Sequence, residues 1–161
     1  MKTSTTLTLI AIVLIAGIAV YQSQHKSVQK ENFKSIDALM QFMAAEAVKK
    51  AEQENHIKLD YSVQSLENIE AILGKLHEQY VKDRSSVAVN EASMAYGAYL
   101  GEVIKRSEPG AYWEADHPVA GEKSYPLYWK GGVSYPWGWC LKRILNGPED
   151  NVWRKYLALK Q

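Results

Sequence analysis

Hydrophobic and polar positions along this chain change rhythm several times. From Leu7 to Tyr21 (LTLIAIVLIAGIAVY) fifteen consecutive residues carry no charge, behind a lone Lys2 and a short polar stretch. As a helix they reach about 22 Å, and about 28 Å counted from Thr3, close to the roughly 30 Å hydrocarbon core of a bilayer. The run predicts a membrane anchor or a cleavable signal. Gly17-Ile18-Ala19 supplies the small residues a signal cleavage site wants, but the apolar run continues through Val20 and Tyr21, which puts the anchor ahead. No cysteine follows the run, so a lipid-modified amino terminus is excluded. Gln22 to Asn32 (QSQHKSVQKEN) is polar without apolar periodicity and reads as a tether. The expected organisation is therefore 1–21 signal or anchor, 22–32 tether and 33–161 a single globular domain.

Beyond the tether the period becomes helical. Ser35 can cap a helix with Asp37 in its first turn, and Ile36, Leu39, Met40, Phe42, Met43 and Ala47 share one side, with an end near Asn55. Ile57, Leu59 and Tyr61 alternate with Lys58, Asp60 and Ser62, which predicts a short strand. Ser65 is placed as the cap of a second helix whose stripe is Leu66, Ile69, Ile72, Leu73, Leu76 and Tyr80. A third helix, Val87 to Arg106, has a different character, because Ala88, Ala92, Ser93, Ala95, Gly97, Ala98 and Gly101 leave part of its surface without bulk. Two interior glycines cost about 1 kcal/mol each against alanine, so another backbone or a large aromatic is expected to approach there.

From Glu108 onward the pattern shortens to period two and fills with aromatics. Eight of the seventeen aromatic residues lie between Tyr112 and Trp139, and all five tryptophans between Trp113 and Trp153. Turns at Pro109-Gly110, Ala120-Gly121 and Gly131-Gly132 separate expected strands at Ala111–Ala115, Tyr125–Lys130 and Val133–Trp137, an antiparallel meander. Pro118, Pro126 and Pro136 confine these to edges or strand ends. Two short helices close the chain, Trp139 to Leu145 and Pro148 to Leu159, the second with Pro148 at its first position. The predicted class is α+β: an N-terminal membrane helix, then three helices packed on a small antiparallel sheet, with two short closing helices.

Composition narrows the function. With 161 residues the chain has room for one ordinary domain, and 19 Lys and Arg against 18 Asp and Glu, without a basic block, exclude a nucleic-acid partner. A single cysteine, Cys140, rules out an intrachain disulfide and a cysteine-rich zinc site.

The run Tyr96-Gly97-Ala98-Tyr99-Leu100-Gly101-Glu102-Val103-Ile104, followed by a turn and a strand holding Trp113, resembles the core of small bacterial envelope domains of unknown function. The stretch from Tyr135-Pro136-Trp137 to Tyr156 is similar to their closing segment. The resemblance spans roughly Leu59 to Leu159. It implies an α+β fold and a bacterial extracytoplasmic or cell-envelope setting, and brings no chemistry with it.

Reactive signatures are sparse. His25, His56, His77 and His117 pair with no other ligand at a diagnostic spacing, so no metal site and no cofactor is expected. Cys140 reads as a small core residue or, at a helix start, a nucleophile activated by the helix dipole. Glu102, in an apolar stretch, reads as a structural carboxylate paired with arginine or as a catalytic acid, and a Glu102–Arg143 ion pair is the expected form. Asp116-His117 beside Glu114 is the best acid–base candidate, against plain loop polarity.

The aromatics carry the remaining signal. Tyr125, Tyr128, Trp129, Tyr135, Trp137 and Trp139 are too many for a small sheet to bury on one face, since alternate residues point to opposite sides. Exposed Trp and Tyr beside Lys130, Lys142 and Arg143 make the composition of a protein interface. The candidate binding set is Tyr125, Tyr128, Trp129, Tyr135, Trp137 and Arg143. The expectation is a membrane-anchored or secreted bacterial protein-binding module, an inhibitor or immunity-like accessory. Residues 7–21 would hold it in the inner membrane as a single pass with the domain in the periplasm, or release it there after cleavage. Its partner would be another envelope protein or, second to that, cell-wall glycan. The alternative is a small envelope hydrolase or glycan-modifying enzyme using Glu102 or the Asp116-His117 pair.

Overall fold

In the computed structural model, which describes residues 33–160, the chain enters its first helix at Ser35. The Ser35 hydroxyl accepts the Ala38 N–H at 3.2 Å, satisfying a first-turn donor, and Asp37 places negative charge at the positive end of the dipole. This helix, α1, runs Ile36–Asn55 and stops at His56, whose left-handed backbone (φ 55°) returns its N–H to the last turn. Met40, Ala44, Ala47 and Ala51 form its buried face. The small size of three of these lets the next helix to pack on it come close.

Residues 57–64 do not form the expected strand. Leu59 is buried, but Tyr61 takes a left-handed conformation (φ 61°) and its N–H donates to the Tyr99 hydroxyl at 2.8 Å, with the two rings stacked at 4.7 Å. Alternation without a neighbouring strand to pair with leaves a connector pinned by one tyrosine. Helix α2, Ser65–Lys82, follows. Ser65 lies inside it rather than capping it: its hydroxyl donates to the Ser62 carbonyl at 2.6 Å and meets the Tyr99 hydroxyl at 2.6 Å.

Helix α3, Val89–Ser107, is the centre of the molecule. Twelve of its nineteen residues are buried, so it presents no wet face through its middle turns. Beyond it come β1 (Tyr112–Trp113), β2 (Leu127–Trp129) and β3 (Gly132–Ser134), then α4 (Pro136–Asn146), a 3-10 turn at Pro148–Asp150 and α5 (Val152–Lys160). Helices α1 and α4 make the two most extensive packings on α3, and α2 packs against α4 and α5. The strands form an antiparallel meander in the order β1-β2-β3, with Tyr112 opposite Tyr128 and Tyr128 opposite Val133. Lys130 (φ 51°) and Gly131 (φ 73°) form the two-residue turn between β2 and β3, one residue earlier than the glycine pair suggested.

The expected α+β class is corrected. Among the described residues five α-helices and a sheet of three very short strands make a mostly helical fold, in which the long helices bury their stripes against one another instead of on the sheet. Proline is the physical reason the strands stay short. Pro136, placed above in a third strand, is the first residue of α4, where its fixed φ and missing N–H cost nothing, so β3 ends at Ser134. The expected membrane helix at 7–21 and the tether at 22–32 lie outside the described residues. Among the described residues no helix is long and apolar enough to cross a membrane.

Candidate functional site

Two of the tryptophans pack on α3, Trp113 buried in the core and Trp137 half-buried. Gly97 and Gly101 stand one turn apart on α3. A Cβ at Gly97 would lie 2.3 Å from the Trp137 Cα, and one at Gly101 would lie 2.0 Å from Cζ2 of the Trp113 ring. The close approach expected of this helix is thus made by a backbone at one glycine and by an aromatic at the other. Trp113 Nε1–H donates to Glu102 Oε1 at 2.9 Å, and Trp137 Nε1–H to the Ser124 carbonyl at 2.8 Å. Glu102, 3% exposed, is therefore an acceptor inside the core, facing β1.

The expected Glu102–Arg143 pair does not form. Arg143, 7% exposed, donates from Nε to Glu70 Oε1 at 2.6 Å, while Glu70 Oε2 accepts the Val152 N–H at 2.9 Å. Glu70 thereby ties α2 to α4 and to the first turn of α5. The arginine reaches this carboxylate past Gly74, where a Cβ would stand 3.0 Å from Nη2. Arg143 sits on the α2 side of α4, so Glu102, which meets the Trp113 ring, is out of its reach.

The other chemical candidates are occupied by structure. Cys140 is fully buried, and that burial pushes its thiol up, with Glu70 acting in the same direction; it is a neutral core side chain, not a thiolate. Asp116 Oδ1 accepts the Lys123 N–H at 2.7 Å, and His117 Nδ1 accepts the N–H groups of Val119 at 3.2 Å and Ala120 at 3.1 Å. Both shape the β1–β2 loop. Among the described residues no group of three or more His, Cys, Asp or Glu side chains is gathered to hold a metal ion.

What remains open lies at the other end of the sheet. The β2–β3 hairpin and α5 enclose a cleft of about 460 Å³, lined by Trp129, Val133, Tyr135, Trp139, Lys155 and Leu159 among others. The volume lies within the roughly 300–1,000 Å³ range of ligand sites. Trp129 stacks on Tyr156 at 6.2 Å, and Tyr156 on Trp153 at 5.9 Å, so the floor of this region is a rigid aromatic file. Trp129 Nε1–H donates to Ser134 Oγ at 3.0 Å and fixes the hairpin against it. Two ammonium groups stand over these walls. Lys155 lies 5.5 Å from the Trp139 ring and 3.6 Å from Asp150, and Lys130, at the hairpin turn, donates to the Lys160 carbonyl at the end of α5.

Of the six residues proposed for binding, the structure brings Trp129 and Tyr135 together in the cleft. Tyr128 lies on the opposite sheet face, stacked on Tyr112 at 5.1 Å. Tyr125, Trp137 and Arg143 belong to the packing between loop and helices. Sequence reasoning missed the wall contributed by α5. Its signal was present, since Lys155, Ala158 and Leu159 follow the three- and four-residue spacing of one helix face. Neither protein-family models, nor curated proteins, nor solved structures give a match to this chain.

Proposed function

We propose that the domain is a protein-binding module whose recognition surface is the cleft between the β2–β3 hairpin and α5. One observation carries this reading. Among the described residues the cleft walls are aromatic and aliphatic with two lysines, and no carboxylate, histidine or thiol lines them. Histidine and carboxylate side chains, the commonest general acids and bases of hydrolases, are absent from the lining, whose polar side chains are Ser134, Tyr135 and two lysines. Sugar recognition draws on carboxylates and amides that clamp hydroxyl groups, and these are missing from the walls as well. Aromatic anchors inside a cationic rim suit a protein segment that brings apolar side chains and negative charge. The apolar run Leu7–Tyr21 supports delivery of this module to the outer face of the inner membrane, as an anchored or released accessory.

The test uses the full chain with a photo-cross-linking residue in place of Leu159, which is 47% exposed at the cleft. A protein adduct that disappears with Trp139→Ala is the expected result. Adducts only to glycan, or none, overturn the reading. A reporter fused after Gln161 is expected to be active outside the cytoplasm, and activity inside ends the envelope assignment.

A further inference from the structure

The loop joining β1 to β2 carries an apolar tip and an acidic neck. At its tip Pro118, Val119 and Ala120 are exposed, and Val119, at 90%, is the most exposed large apolar residue of the described chain. Its side chain is free to be buried by another surface, with a gain in proportion to the apolar area covered. The tip is held rigidly from below. His117 and Gly121 exchange backbone hydrogen bonds of 3.1 and 2.8 Å, His117 Nδ1 accepts two tip N–H groups, Asp116 accepts the Lys123 N–H, and the Ser124 hydroxyl donates to the Gly121 carbonyl at 2.7 Å. A knob ordered before binding loses little entropy when it docks.

Charge then selects the hole. The neck of the knob exposes Glu114, Asp116 and Glu122 against the single Lys123. The cleft presents Lys130 and Lys155, the latter 3.6 Å from Asp150 behind it, with no carboxylate among the lining residues themselves. Apolar tip with acidic neck matches apolar walls with a cationic rim. The knob does not fill the cleft of its own chain, because Val119 is exposed and outside the lining. The two are neighbours all the same: the His117 ring at the base of the knob meets Tyr135, a lining residue, edge-on at 5.8 Å. Knob and hole side by side on one surface is the layout that a two-fold axis closes, each tip entering the other copy's cleft.

Resting on the protein-binding reading above, we infer that the occupant of the cleft is the Pro118-Val119-Ala120 tip of a second copy of this chain, exchanged reciprocally in a symmetric dimer. The experiment mixes two full-length variants, Val119→Cys and Ala158→Cys, under mild oxidation. The native Cys140 is buried and stays silent. A disulfide-linked dimer is expected in the mixture and not from either variant alone. Glu122→Lys and Lys130→Glu are each expected to lower the dimer yield several-fold, and to restore it when combined in one chain, since each reversed rim then meets a reversed neck. No mixed disulfide, or no rescue by the double reversal, overturns the inference. The photo-cross-linker at Leu159 separates the two levels of the argument. A Trp139-dependent adduct to a different protein without self-adduct overturns the dimer and leaves the binding reading standing, whereas no protein adduct overturns both.

Discussion

Trp113 and Trp139 come from one aromatic segment, yet they end in opposite circumstances. Trp113, 4% exposed, lies against Gly101 of α3 and gives its indole N–H to the buried Glu102, while Trp137 backs onto Gly97 beside it. Trp139 is half-buried at the cleft with Lys155 over its ring, and Trp129 between the two regions is buried and gives its indole N–H to Ser134. What decides between closed and open is the residue opposite. A glycine lets two elements approach until water is excluded, while a lysine over an indole keeps its charged head in water and holds the wall apart. Aromatic density alone therefore marks a region, and the small or charged residues facing it say which part is core and which part is surface.

The closed region should break first and hardest. Arg143→Met or Glu70→Gln leaves one buried member of an ion pair without its partner, and such losses run to about 3–5 kcal/mol. The two changes together are expected to cost less than the sum of the singles. Urea unfolding of the three variants checks this, and strict additivity would show that the pair is not coupled. Next come the glycines. Gly97→Leu and Gly101→Leu each push a side chain into space already held by a tryptophan, at a cost of about 1–3 kcal/mol. Gly97 is expected at the upper end, since its neighbour is backbone and cannot rotate away. Equal, near-zero losses at both positions would remove the explanation given for the closed tryptophans.

Proton release tests the same core at high pH. Burial, with smaller contributions from Glu54 and Cys140, pushes the Tyr96 phenol up to about 12 from its ordinary 10.0, and burial also raises Tyr99. Between these values the unfolded chain gives up the Tyr96 proton while the folded chain keeps it. The unfolded state then binds fewer protons, so stability is whole below about pH 10 and falls as pH rises towards 12. Tyr96→Phe is expected to flatten part of that decline without abolishing it, because Tyr99 still contributes. An identical slope in wild type and variant would place the Tyr96 hydroxyl in solvent.

How far this was legible beforehand depends on whether the signal was local. The cap at Ser35, the stripe of α2, the close approach at Gly97 and Gly101 and the meander order all follow from residues near one another in sequence. The strand expected at Ile57–Tyr61 failed because period two needs a partner, and none was at hand. Pro136 is compatible with a strand end or a helix start, and the choice was made by burying α4 on α3. The Arg143 partner could not be read, since Glu70 is 73 positions away and helix rotation decides which carboxylate it meets. For the same reason the cleft was half legible: the hairpin half lies in the aromatic segment, and the α5 half arrives only when the chain folds back.

The open region should be nearly indifferent to stability and sensitive in recognition, which makes its perturbation the smallest and the most selective. Ala158 stands on α5, exposed in the cleft wall. Ala158→Asp removes little buried area, and surface changes of this kind fall within about 0.5 kcal/mol. It also sets a carboxylate beside Lys130 and Lys155, so the rim loses the charge contrast that attracts an acidic segment. The expected outcome is an unfolding midpoint close to wild type together with a loss of cleft-dependent cross-linking. Ala158→Lys provides the opposite sign at the same position and should leave attraction intact if charge governs recognition, with only the apolar contact reduced. Should both variants lose cross-linking equally, shape rather than charge would be the determinant. A stability loss comparable to the glycine variants would mean that the cleft is core after all, and the division between closed and open tryptophans would fall with it.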